Sequence, residues 1–165
     1  MTIKEHICDL IPDCAKLEKF SIVNNIHVKF FWDAKSDKNL IGFLNETVFI
    51  LHKYKCKIRI LKGFTCDGGS TPRFSWSTTS DPYSTICLLG FILHDALYCT
   101  QYFTRAECDW ILLEFLKELG VSWFTRNKIW FGVKAGGYLC AWRKHTKQTI
   151  ETSRQYVLKE DIENA

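Results

Sequence analysis

The chain has 165 residues, of which 47% are hydrophobic and 15% aromatic, the composition of one ordered domain large enough to bury a core. Its net charge of +4 is scattered, and the cluster Arg143-Lys144-His145…Lys147 reads as a solvated helix end, which argues against a nucleic-acid partner. No apolar run reaches the ~20 residues of a membrane helix, and the opening residues lack a signal-peptide pattern, so the expectation is a protein made in a cytosol and not integral to a membrane.

In chain order, residues from about 20 to 66 read as strands. Ile26–Trp32 and Glu46–Leu51 are rich in β-branched and aromatic residues, and Cys56–Phe64 alternates, with Ile58 and Ile60 inward against Lys57 and Arg59 outward. Lys35–Lys38 and Lys53–Lys55 are the polar turns between them. A loop over about 67–83 follows, opening Asp67-Gly68-Gly69-Ser70-Thr71-Pro72-Arg73, where paired glycines permit close backbone approach. The remainder, 84–145, is helical. Tyr83–Thr100 and Thr104–Leu119 form a hairpin that Gly120 terminates, and a third helix runs from about Ser122 to Lys144. Gly132, Gly136 and Gly137 on that helix imply close packing against a neighbour, and Trp123, Trp130 and Trp142 read as core residues. The order of elements predicts an α+β fold, a small N-terminal antiparallel sheet packed on three C-terminal helices, as a single domain over 1–145. Residues 146–165 form a polar tail, an exposed helix or a partner-binding segment.

Eight cysteines match no zinc template, and several fall on apolar faces, so free buried thiols are expected. The chemistry concentrates in the hairpin, in Leu93-His94-Asp95-Ala96-Leu97-Tyr98 and Glu107-Cys108-Asp109. Buried ionisable groups are costly unless they pair or bind a metal. Thr104 and Glu107 form a capping box that sets the start of the second helix. His94 and Asp109 then stand level, each roughly 8–9 Å from the turn at ~1.5 Å rise per residue. Tyr98, at i+4 from His94, shares its face, while Asp95 projects about 100° away and is free to ligate a cation. An imidazole facing a carboxylate in this way is the arrangement of a general base and its orienting acid.

Gly63-Phe64-Thr65-Cys66-Asp67-Gly68-Gly69-Ser70-Thr71-Pro72-Arg73, His94-Asp95-Ala96-Leu97-Tyr98, Arg105…Asp109 and Val133…Gly137…Trp142 resemble domain-of-unknown-function family 1353, which occurs in tailed phages and prophages. Cys66 and Gly69 depart from its pattern without removing a polar group. The resemblance implies a phage protein, virion- or tail-associated, whose partners are phage structural proteins or a host protein. The hairpin alone is similar to the core of phospholipases A2, particularly the short viral ones. That likeness implies His94 as base, Asp109 as orienter, Tyr98 as its hydrogen-bond partner, Asp95 as a calcium ligand, and a loop at Asp67-Gly68-Gly69. The Tyr-x-Gly-x-Gly loop and the paired cysteines of those enzymes are missing here.

Two functions stand side by side. One is a small hydrolase, incorporated in the virion, in which His94 activates water against an ester or envelope bond. The other is a non-catalytic structural module of a phage particle, in which His94, Tyr98 and Asp109 form a buried network that fixes helix register. In the loop, Asp67 is a turn residue or part of a site, and Arg73 pairs with a carboxylate or holds an anionic substrate. Ser70 lacks the G-x-S-x-G surroundings of a nucleophile.

Overall fold

The computed structural model describes residues 6–10 (backbone only), 17–67, 85–136 and 142–162. Two compact units emerge, Met1–Gly68 with Gln155–Ala165, and Gly69–Arg154. The class is α+β, with antiparallel strands in the first unit and helices in the second.

The strand unit holds β1 (His6–Leu10), β2 (Phe20–Val23), β3 (Ile26–Asp33), β4 (Lys38–Phe43), β5 (Thr47–Leu51), β6 (Cys56–Ile60), β7 (Thr65–Cys66) and β8 (Val157–Asp161). They form two four-stranded antiparallel sheets, ordered β1-β3-β4-β7 and β2-β5-β6-β8, where one small sheet was expected. The period-two pattern of β6 is realised: Cys56, Ile58 and Ile60 are fully buried. Arg59, on its other face, is gripped by Glu46 of the preceding loop at 3.0 Å and by Glu160 of β8 at 2.7 Å. β8 comes from the segment read as a polar tail. Its short polar stretch Leu158-Lys159-Glu160 suits an edge strand, one of whose rows of peptide groups pairs with β6 in register Ile58↔Lys159. The Lys35–Lys38 turn is tied by Asp33, whose carboxylate accepts from Ser36 Oγ at 2.6 Å.

The helical unit holds α1 (Thr85–Thr100), α2 (Arg105–Glu118), α3 (Trp123–Gly136) and α4 (Lys147–Arg154). Gln101, with φ of 49°, ends α1. Thr104 caps α2 in a complete capping box: Thr104 N donates to Glu107 Oε2 at 2.8 Å, and Thr104 Oγ1 accepts from Glu107 N. Gly120, at φ 81°, ends α2 as the sequence implies. The hairpin is tightest at a residue the sequence did not single out. A Cβ on Gly90 would lie 2.7 Å from Leu116 Cδ2 and 3.1 Å from Leu112 Cδ1, so α1 and α2 meet there side chain to backbone. Ile129 and Val133 of α3 join Cys87, Phe91, Leu112 and Leu116 in the same cluster.

Three expectations about the third helix are corrected. It is described over Trp123–Gly136, and Trp142–Lys144, expected to belong to it, form a separate 3-10 turn. Among the described residues a Cβ on Gly136 would meet nothing within 4 Å, so the close packing expected at this glycine is not found; Gly137 lies outside the described residues. Trp123 is 68% exposed and belongs to no core. The helix buries Ile129, and Trp123 lies about 120° around the helix from it.

The described cysteines Cys56, Cys66, Cys87, Cys99 and Cys108 are free, and all but Cys99 are buried. Burial pushes the Cys99 thiol up to about 12 and raises Cys56 and Cys108 as well. A raised value keeps each thiol protonated at neutral pH, and thiolate is the reacting form. Native protein at pH 8 should therefore leave Cys56, Cys99 and Cys108 unlabelled by a thiol reagent, and full labelling should follow denaturation. Mass-spectrometric mapping of the labelled sites checks this; rapid native labelling of Cys99 or Cys108 would contradict it.

Candidate active site

His94 and Tyr98 stand one turn apart on α1, and Asp109 sits one turn into α2, at the height the capping box dictates. The structure brings the three together. His94 Nε2 lies 3.1 Å from Asp109 Oδ1, and Tyr98 donates its hydroxyl to the same oxygen at 2.5 Å. The other oxygen, Oδ2, faces Arg105 Nη1 at 3.4 Å, an i,i+4 pair on α2. Arg105 also donates to the Lys134 carbonyl at 3.2 Å, tying the end of α3 to this carboxylate.

The surroundings are buried. Asp109 is 3% and His94 6% exposed. A carboxylate so placed keeps its charge only if donors surround it, and here an imidazole, a phenol and a guanidinium do so. Burial, and then the bond to Asp109, push the Tyr98 phenol well above its ordinary value, so it remains a donor. Its ring lies 4.1 Å, centroid to centroid, from that of His94 and meets Trp142 edge-on at 5.0 Å. Tyr98 is thus clamped from both sides.

The partner of Nε2 decides the tautomer. An ionised carboxylate only accepts, so the neutral imidazole carries its proton on Nε2 and its lone pair on Nδ1. Nδ1 makes no hydrogen bond among the described residues. A ring held at one nitrogen and basic at the other is built to take a proton from a water or an alcohol.

Of the remaining candidates, Asp95 is half-buried on α1 beside this group in sequence. No cluster of three or more His, Cys, Asp or Glu side chains suited to a metal occurs among the described residues, so they supply no calcium set around Asp95. Asp67 belongs to the strand unit, where it faces Lys38 Nζ at 3.6 Å. Gly68, Gly69, Ser70 and Arg73 lie outside the described residues. Two participants, Arg105 and Trp142, stand in the motifs of the family resemblance but were assigned no role in the site from sequence. The i,i+4 spacing of Arg105 and Asp109 was a usable signal for the first; nothing local marks Trp142 as the wall of Tyr98.

No helix among the described residues is long and apolar enough to cross a membrane. Residues 44–133 match the family described as "Protein of unknown function (DUF1353)". The chain belongs to this family. In this member the matched span runs from the loop before β5 into α3, and so contains His94, Asp95, Tyr98, Arg105 and Asp109, while Trp142 lies beyond it. No curated protein and no solved structure matches the chain.

Proposed function

We propose that this DUF1353 protein is a small hydrolase of a phage particle, with His94 as the general base. One observation carries the reading: Asp109 holds His94 by Nε2, leaving Nδ1 without a hydrogen bond among the described residues. In the reaction Nδ1 removes a proton from water as the oxygen attacks an ester carbonyl carbon. Asp109 steadies the imidazolium, Tyr98 and Arg105 steady Asp109, and the imidazolium then returns the proton to the departing alkoxide. The virion setting rests on the phage resemblance of the motifs and places the protein among phage structural proteins.

A second reading has its own support. The three donors on Asp109 satisfy it inside the hairpin, and such a network locks α1 to α2 with no substrate at all. Turnover separates the two. Purified protein is expected to hydrolyse short-chain p-nitrophenyl esters or phospholipid, with His94→Ala slower by about 10²–10⁴-fold. Wild-type protein inert toward both substrates, with His94→Ala markedly less stable, leaves the network as the whole role of the cluster.

A further inference from the structure

The outer face of α3 has no place in the mechanism above, and it is unusual. Trp123 and Phe124 are each 68% exposed and Phe131 is 63% exposed. At about 100° per residue these three aromatics fall in one arc of some 140°, bounded by Trp123 and Lys128, with Lys134 inside it next to Trp123. Ile129 and Val133, which pack on the α1–α2 hairpin, point the other way. The aromatic face is therefore a real outer face and not a misassigned core.

Charge is equally one-sided. Between Glu118 and Glu151 the chain carries no acidic residue, while it has Arg126, Lys128, Lys134, Arg143, Lys144 and Lys147. Among these, Lys134 extends its ammonium over the Trp130 ring at 4.6 Å. Large aromatics in water cost hydrophobic free energy, and a contiguous group of them marks a surface that something covers. Exposed Trp and Phe on one helix face with lysines among them, long side chains that cover apolar surface with their stems and carry charge at their tips, fit the headgroup region of a bilayer. With no acidic residue on α3 itself, its positive charge favours anionic lipid.

We propose that α3 docks through Trp123, Phe124 and Phe131 on an anionic lipid surface, lying in its plane, with Lys128 and Lys134 against the headgroups. The proposal is independent of whether His94 is catalytic. Co-sedimentation of the full chain with phosphatidylglycerol vesicles tests it, with phosphatidylcholine vesicles for comparison. Wild-type protein is expected to partition at least about tenfold more strongly to the anionic vesicles, and its tryptophan emission to shift to the blue on binding. The triple variant Trp123→Ser, Phe124→Ser, Phe131→Ser should lose about tenfold or more of that partition with an unchanged circular-dichroism spectrum and melting temperature, since the replaced side chains are exposed. Lys128→Glu with Lys134→Glu should lose a similar factor to anionic vesicles only. Equal or no binding to the two vesicle types overturns the proposal. So does a concentration-dependent dimer that the serine variant abolishes, which would make a second copy the occupant, or oligonucleotide binding that exceeds vesicle binding.

Discussion

Asp109→Ala should be the most damaging single substitution in the helical unit. The carboxylate accepts from Tyr98 at 2.5 Å and faces His94 at 3.1 Å and Arg105 at 3.4 Å, and no water-rich surface stands ready to replace it. Removing one partner of a buried charged group leaves the others desolvated and unpaired, a loss of about 3–5 kcal/mol. At roughly 2–4 °C per kcal/mol, a melting temperature about 10 °C lower is expected, read by circular dichroism at 222 nm. Asp109→Asn isolates the chemistry. The amide keeps the volume and, with its oxygen toward Tyr98 and His94, can still accept from both, yet its N–H₂ end then meets the Arg105 guanidinium as donor against donor. Its expected cost is smaller, about 1–3 kcal/mol, while any ester hydrolysis should fall by about 10²–10⁴-fold because the imidazolium loses its counter-charge. A double-mutant cycle of His94→Ala with Asp109→Ala should give a coupling of about 0.5–3 kcal/mol; simple additivity would show that the two side chains do not act as a unit.

In the strand unit the corresponding lesion is Phe49→Ala. Phe49 lies on β5, an interior strand, fully buried, with Ile22 of β2 opposite on one side and Ile58 of β6 on the other. Truncation removes most of an aromatic side chain from between two paired neighbours that the ladder holds in place, so the cavity cannot close by backbone movement. A loss of about 3–5 kcal/mol is expected, against less than about 1.5 kcal/mol for Phe49→Leu, which retains much of the volume. Urea titration followed by tryptophan emission or far-ultraviolet dichroism measures both. Near-equal midpoints for wild type and Phe49→Ala would mean that the β5 face is not the core of its sheet.

Local patterns were enough where structure is local. The capping box at Thr104 and Glu107 fixes the start of α2, and helical rise then sets His94 against Asp109, so the central pair could be read from spacing alone. Likewise β6 declared itself through alternation. Elements defined by distant partners could not be read in this way. β8 is a polar stretch whose strand character comes from pairing with β6 about a hundred residues earlier, and β4 opens with Lys38-Asn39 and contains Gly42, a poor strand signal that β3 overrides. Trp123 was misjudged because a large apolar residue was assigned to the interior by type, whereas α3 chooses its inner face by geometry. Arg105 shows the converse: its motif with Asp109 was visible in the sequence, yet its second partner, the Lys134 carbonyl, comes from a different helix and could not be.

The return of β8 to β6 has a consequence for how the chain is made. Synthesis runs from the N-terminus, so β2, β5 and β6 emerge long before residues 157–161, and the whole of α1 to α4 is polymerised in between. Throughout that interval β6 is a border strand with its outer row of peptide groups bare, the kind of edge on which other chains can zip. Lys57 and Arg59 stand on that strand, charges that discourage such pairing until Glu160 arrives to meet Arg59. A ribosome paused or stopped before residue 157 would therefore release a polypeptide able to build its helices yet carrying an unsealed sheet, prone to join another copy of itself.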